Sequence, residues 1–209
     1  MKLAQGDSEA GVVIGNTFNK YGSRNPIARK LLKGFEESLF SLLETSGATT
    51  VHEVGCGEGY WTIRLAQSGY KTRGSDFSEK VISLARENAE AAGLHIPFSV
   101  RSIYDLTVES DREELIMCCE VCEHLEEPER AIEVLSSVAA PFLIASVPRE
   151  PLWRILNMAR GKYWAAAGNT PGHIQHWSSA SFIRLLKTRF DIIEVRKPLP
   201  WTMALCKVR

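Results

Sequence analysis

Two rhythms of apolar residues run along this chain. Short runs bounded by turn residues read as buried strands: Thr50–Val54, Lys71–Asp76, Leu115–Cys119 and Phe142–Val147. Phe98–Ile103 is a fifth, opening after Pro97, which suits the start of a strand. Between them the period changes to that of a helix. Val81, Leu84 and Ala85, with Asn88 in register, mark a helix over Lys80–Ala92, with Ser78 as its N-cap and Gly93 as its stop. Trp61–Gln67, Glu129–Ala139 behind Pro128, Phe182–Thr188 behind Ser178 or Ser179, and Ile27–Leu43 read the same way. Two late strands follow, Asp191–Val195 and Thr202–Val208. Repeated strand–helix units joined by right-handed crossovers predict an α/β fold. It is doubly wound and Rossmann-like, a mainly parallel seven-stranded sheet with helices on both faces and a late antiparallel strand. The ligand of such a sheet is expected at the carboxyl ends of the strands, near the point where strand order reverses.

Composition narrows the partners. The chain has 209 residues, 44% apolar and 24% charged, with a formal net charge of zero. No long-range field therefore draws it to nucleic acid, and no nucleic-acid partner is expected. No apolar run is long enough to span a bilayer, and Met1 to Gly15 lacks a basic stretch followed by an apolar core, so no signal peptide is expected. Cys56, Cys118, Cys119, Cys122 and Cys206 are odd in number and lie mostly in apolar runs, which fits reduced thiols in the cytoplasm. Cys119 and Cys122 have C-x-x-C spacing but no second pair, so they read as buried thiols.

The chemistry concentrates after the first strand. Glu53-Val-Gly-Cys-Gly-Glu-Gly59 joins that strand to a helix, where Gly55 and Gly57 let backbone turn sharply and approach a ligand. Asp76 ends the second strand, where a carboxylate can hold two ribose hydroxyls. A pyrophosphate would be repelled by Glu53 and Glu58, so the loop suits a nucleoside carrying an ammonium and a sulfonium. S-adenosylmethionine is such a ligand.

These segments resemble the class I methyltransferases. Glu53–Gly59 is similar to their glycine motif, and Asp76-Phe-Ser78 to the end of their second strand. Glu120-Val-Cys-Glu-His-Leu125 followed by Pro128 is similar to the E-V-x-E-H-L segment of the subgroup that includes ubiquinone and menaquinone biosynthesis methyltransferases. The resemblance covers about residues 50 to 148. It implies that Glu53, Gly55, Cys56 and Gly57 hold the methionine part, that Asp76 takes the ribose, and that Phe77, Ser102 and Ile103 border adenine. It also implies that Cys119 and Glu120 lie near the sulfonium. Many relatives carry an acid where Ser102 stands, and Asp105 is a substitute acceptor. Many begin with a cap bearing an aromatic, which Asn19–Pro26 would supply through Tyr21. The expected organisation is one domain over 1–209: an N-terminal helical cap (1–48), a cofactor-binding core (49–148), a lid or substrate insertion (149–178), and a C-terminal helix with a strand pair (179–209).

On the acceptor side, His124 is the candidate general base, with Glu123 beside it. His173 and His176, in the polar run Asn169–Ser178, would line the acceptor pocket or brace the loop. With Glu120, Glu123 and His124 they also form a mixed carboxylate–imidazole set of the kind that holds a metal. Small-RNA 2′-O-methyltransferases resemble this arrangement, but no metal is expected here. Pro148–Gly168 carries Leu152, Ile155, Leu156 and Ala159 at helical spacing, with Trp153, Trp164 and several arginines. Such a segment packs on its own domain, covers a substrate, or touches a membrane. The expected function is methyl transfer from S-adenosylmethionine to oxygen, nitrogen or carbon of a small-molecule acceptor. The alternatives are a metal-assisted RNA ribose 2′-O-methyltransferase and a non-catalytic adenosylmethionine-binding protein. The sequence is silent on oligomeric state.

Overall fold

The computed structural model describes residues 1–4, 8–9, 12–15 and 21–209. The main sheet has seven strands: β1 (Thr50–Val54), β2 (Lys71–Asp76), β3 (Phe98–Val100), β4 (Glu113–Cys119), β5 (Ala139–Pro148), β6 (Phe190–Arg196) and β7 (Trp201–Val208). Their order across the sheet is β3-β2-β1-β4-β5-β7-β6. The first five strands are mutually parallel, and β7 runs antiparallel to both β5 and β6. The reversal of strand order falls between β1 and β4. Register then fixes what meets there: Glu53 lies opposite Met117 and Gly74, Cys119 opposite Ser146, and Pro148 opposite Trp201. The residues that follow β1, β2 and β4, and the first residue of β7, therefore share one edge.

Seven α-helices accompany the sheet among the described residues: α1 (Pro26–Ser46), α2 (Tyr60–Gln67), α3 (Glu79–Ala91), α4 (Val108–Asp111), α5 (Pro128–Val138), α6 (Leu152–Ala159) and α7 (Ser179–Leu186). Local chemistry explains the starts. Asn25 accepts from the amides of Ile27 and Ala28, with Pro26 in the first turn, and Ser78 and Ser178 accept from Val81 and Ser181. The two-residue period of β4 divides the core. Leu115, Met117 and Cys119 pack with Phe35, Leu39 and Trp61 of α1 and α2, while Ile116 and Cys118 pack with Leu135 and Phe182 of α5 and α7. Both faces are dry, and each fully buried aliphatic chain contributes roughly 1.5–3 kcal/mol.

Two expectations are corrected in detail. The strand from Phe98 ends at Val100, not Ile103, because the Ser102 hydroxyl accepts from the Tyr104 amide and winds Ile103–Asp105 into a 3-10 turn. The fifth strand begins at Ala139, which pairs with Glu113 across an irregularity in β4. No helix among the described residues is long and apolar enough to cross a membrane.

Candidate functional site

The loop after β1 is built by backbone. Gly55 and Cys56 both donate to the Ser75 carbonyl at 2.8 and 3.0 Å, tying the loop to the end of β2. Gly55 sits at φ 74°, and a Cβ there would overlap the Val121 side chain. Gly57, at φ 52°, has nothing within 4 Å of where its Cβ would be, so this stretch of backbone faces open space. Its amide donates to Asp76 Oδ2 at 3.1 Å, and the Ser78 amide donates to Oδ1 at 3.1 Å. Burial pushes the Asp76 carboxyl up, and these amides pull it back. Each carboxylate oxygen retains a second lone pair for a ligand hydroxyl. Phe77, the next residue, is 44% exposed, a large apolar ring left at the strand end.

The surroundings of this loop are acidic. Glu53 is buried and accepts from the Thr62 hydroxyl of α2. The buried Cys56 thiol is pushed well up by desolvation and then by Glu53, Asp76 and Glu58. Cys119 is pushed up by desolvation and by Glu53, Glu120 and Glu123, against a bond to Ser146 that lowers it. Glu58 corrects one step of the sequence argument. It is wholly buried and accepts from the Ala4 amide at 3.1 Å, so it braces the N-terminal segment rather than the open side of the loop. Ile103 is buried and Ser102 is engaged in its own turn.

At the end of β4, Glu120 adopts φ 62°, unusual for a residue with a side chain. Its Oε2 accepts from Trp201 Nε1 at 2.6 Å. Glu120 and Trp201 line a cleft with Tyr21, Leu32, Phe35 and Trp61. Tyr21 stacks on Tyr60, ring centroids 3.5 Å apart, and meets Trp61 edge-on at 6.0 Å. Asn19 and Lys20 of the expected cap lie outside the described residues.

A second cluster stands beyond the cleft. Glu123, His124 and His173 place one ligand-type atom each within 4.8 Å of one another. The His124 and His173 rings are 4.9 Å apart, His124 Nδ1 lies 2.8 Å from the Gly172 carbonyl, and His173 lies beside Trp153 at 6.0 Å. Trp153 in turn lies 5.9 Å from Trp201, so aromatic rings connect the two clusters. His176 is not brought in: its Nδ1 lies 3.9 Å from Glu150, whose carboxyl is pushed up by burial. Glu120 also stands outside this set of three, bonded to Trp201. Residues 149–178 hang on the same edge as the loop, because Ile174 and Gln175 donate to the Glu123 carbonyl and Gln175 Nε2 donates to the Leu125 carbonyl. Trp201 and Phe35 were not singled out from sequence. The only signal for Trp201 is a tryptophan at the first position of a late strand.

Comparison with known proteins agrees with this geometry. Residues 51–141 match a family model described as a methyltransferase domain. A ubiquinone biosynthesis O-methyltransferase of Coxiella burnetii is 28% identical over 151 residues, covering 65% of this chain and 64% of that protein. The chain thus spans a little under two thirds of the length of such relatives. Among solved structures, magnesium protoporphyrin IX methyltransferase from Synechocystis PCC 6803 with bound SAH superposes with TM-score 0.69 at 22% identity, covering 92% of this chain and 94% of that one. A protein from Pyrococcus horikoshii OT3 gives TM-score 0.73 at 18% identity, covering 92% and 96%.

Proposed function

Starting from a chain that carries a class I methyltransferase domain, we propose that it transfers the methyl group of S-adenosylmethionine to a small-molecule acceptor. The observation that carries this reading is the clasp at the carboxyl edge of β1 and β2. There the Gly57 amide and the Asp76 carboxylate are joined beside a glycine with open space at its Cβ position, in acidic surroundings. Such surroundings suit a ligand with an ammonium and a sulfonium, and they disfavour a pyrophosphate. The donor set fits the cofactor. Asp76 would take ribose hydroxyls, Phe77 would cover adenine with Ile103, and Glu53, Gly55, Cys56 and Gly57 would hold the methionine end near Cys119 and Glu120. When bound, S-adenosylmethionine supplies an electrophilic methyl on a sulfonium.

The chain's own residues then have to align an acceptor and manage its proton. In the hydrogen bond between His124 Nδ1 and the Gly172 carbonyl the ring nitrogen must donate, which fixes the basic lone pair on Nε2. That tautomer takes a proton from an acceptor hydroxyl or amine, a contribution of about 10²–10⁴ in rate where it operates. Glu123 and His173 hold that ring in place, and residues 149–178 form the acceptor wall. The zero net charge gives no support to an RNA acceptor. Five buried free cysteines fit a reducing, cytoplasmic setting. The test is thermal: adenosylmethionine and adenosylhomocysteine raise the melting temperature by mass action and NAD does not. Equal stabilisation by NAD would sink the reading.

A further inference from the structure

The cleft beside Glu120 has a chemistry that the methyltransferase reading leaves unused. Its walls are Tyr21, Phe35, Trp61 and Trp201, with Leu32 at one side and a single ionisable group of low pKa, the Glu120 carboxylate. No lysine, arginine or histidine lines it. Phe35 packs against both Trp61 and Trp201, at 5.2 and 5.1 Å between centroids, so the rings form a continuous wall. Trp61 and Trp201 are each more than nine-tenths buried. Trp201 Nε1 fixes the carboxylate at 2.6 Å. The nearest α2 cation with a printed partner, Arg64, is spent on Glu36. The cleft encloses about 210 Å³ including its open mouth, below the range of pockets that take a drug-sized ligand, so it fits a head group rather than a whole acceptor.

Place adds direction. Glu120 follows β4, and the next residue, Val121, touches Gly55 of the cofactor loop. The cleft therefore adjoins the site proposed for the sulfonium end. Charge decides what reacts well there. When an anionic oxygen takes a methyl cation, charge is annihilated, and the anion must first sit beside a fixed carboxylate among aromatic faces, which repel it. When a neutral amine attacks, its lone pair forms the N–C bond, the C–S bond breaks and its pair stays on sulfur. The product is a neutral thioether and an N-methylammonium, so the positive charge moves from sulfur to nitrogen. Aromatic faces and a carboxylate stabilise that cation in the transition state and the product.

We propose that the Tyr21–Trp61–Trp201–Glu120 cleft binds the nitrogen head of the acceptor, and that the acceptor class is an amine methylated on nitrogen. This rests on the methyltransferase reading and names its substrate class. The free base is the reacting form, and its ammonium gives its proton to solvent before attack.

Calorimetric titration of the protein saturated with adenosylhomocysteine tests this with three probes of one shape class: benzyltrimethylammonium, benzyl alcohol and benzoate. The expected order is cation at least tenfold tighter than alcohol, and benzoate weakest. In Glu120→Gln the cation-to-alcohol ratio falls toward one. Alcohol or benzoate binding as tightly as the cation overturns the proposal, as does an unchanged ratio in a folded Glu120→Gln protein. Should that variant fail to fold, the order in the unaltered protein decides alone. Failure to bind adenosylhomocysteine removes the methyltransferase reading and this inference together. Normal adenosylhomocysteine binding without preference for the cation removes the inference only.

Discussion

The two halves of the site are made in different ways. The half around Gly57 and Asp76 is assembled from backbone: three amides of one loop and a carboxylate 19 residues on, all anchored to neighbouring strands. The half around Glu120 and His173 is assembled from side chains drawn from α1, α2, the β4 loop, residues 149–178 and β7. A backbone-made site is fixed as soon as β1 and β2 pair, and it recognises a group common to all substrates. A side-chain-made site changes with single substitutions, so it is where acceptor choice can vary without loss of the cofactor.

The strongest way to break the comparison is Asp76→Ala. It removes the ribose carboxylate and the partner of the Gly57 and Ser78 amides. Adenosylhomocysteine affinity measured by calorimetry should fall about 100-fold or more, the scale of losing charged hydrogen bonds in a buried site. Unchanged affinity takes Asp76 out of the site.

Acid should act next, and on the backbone-made half. His52 of β1 is buried, with Nε2 2.9 Å from the Ser75 hydroxyl and Nδ1 3.3 Å from the Asp111 carbonyl. Desolvation first, and then Arg73, lower it to about 4 from an ordinary 6.5. Because the folded value lies below the unfolded one, the unfolded chain takes the proton first as pH falls. Stability is therefore undiminished above pH 6.5 and declines from there toward pH 4, by up to about 3 kcal/mol in all. In His52→Gln the urea midpoint should vary less across that window than in the unaltered protein, and an equal slope in the two would assign the acid loss elsewhere.

On the side-chain-made half, Trp153→Ala should raise acceptor KM roughly tenfold, the scale of one lost aromatic wall, while cofactor affinity stays within about twofold. Equal loss on both would show the halves to be one unit. The smallest effect is expected from chelation. Glu123, His124 and His173 lie together, yet Glu120, the fourth member of that donor set, stands with Trp201 instead. Turnover should persist in excess EDTA, and activity lost to chelator but restored by manganese would replace the base with a metal.

Legibility follows the same division. Strand order, helix caps and the loop from Glu53 to Asp76 could be read because each depends on residues close in sequence: Ser78 caps its own helix and Gly57 meets Asp76. Glu58 was misread because position within a loop does not say which way a side chain points, and its partner is Ala4. The aromatic cleft was not read as a unit. Its central bond joins Glu120 to Trp201, 81 residues apart, and only the pairing of β7 with β5 brings them together. His176 resembled His173 in sequence, but the turn at residues 170–173 points them to different partners.

The place of β7 has a consequence for how the chain is born. β6 pairs with no strand except β7, and β7 is made after it. During synthesis β6 leaves the ribosome with its neighbour still unmade, and Phe190 has to wait unpaired until β7 slides between β5 and β6. The same insertion delivers Trp201 to Glu120. A nascent chain halted between Arg196 and Trp201 would hold a finished cofactor loop and no acceptor cleft. Binding of adenosylhomocysteine to stalled chains would then precede binding of any acceptor by the time it takes to emerge about a dozen further residues, of the order of a second.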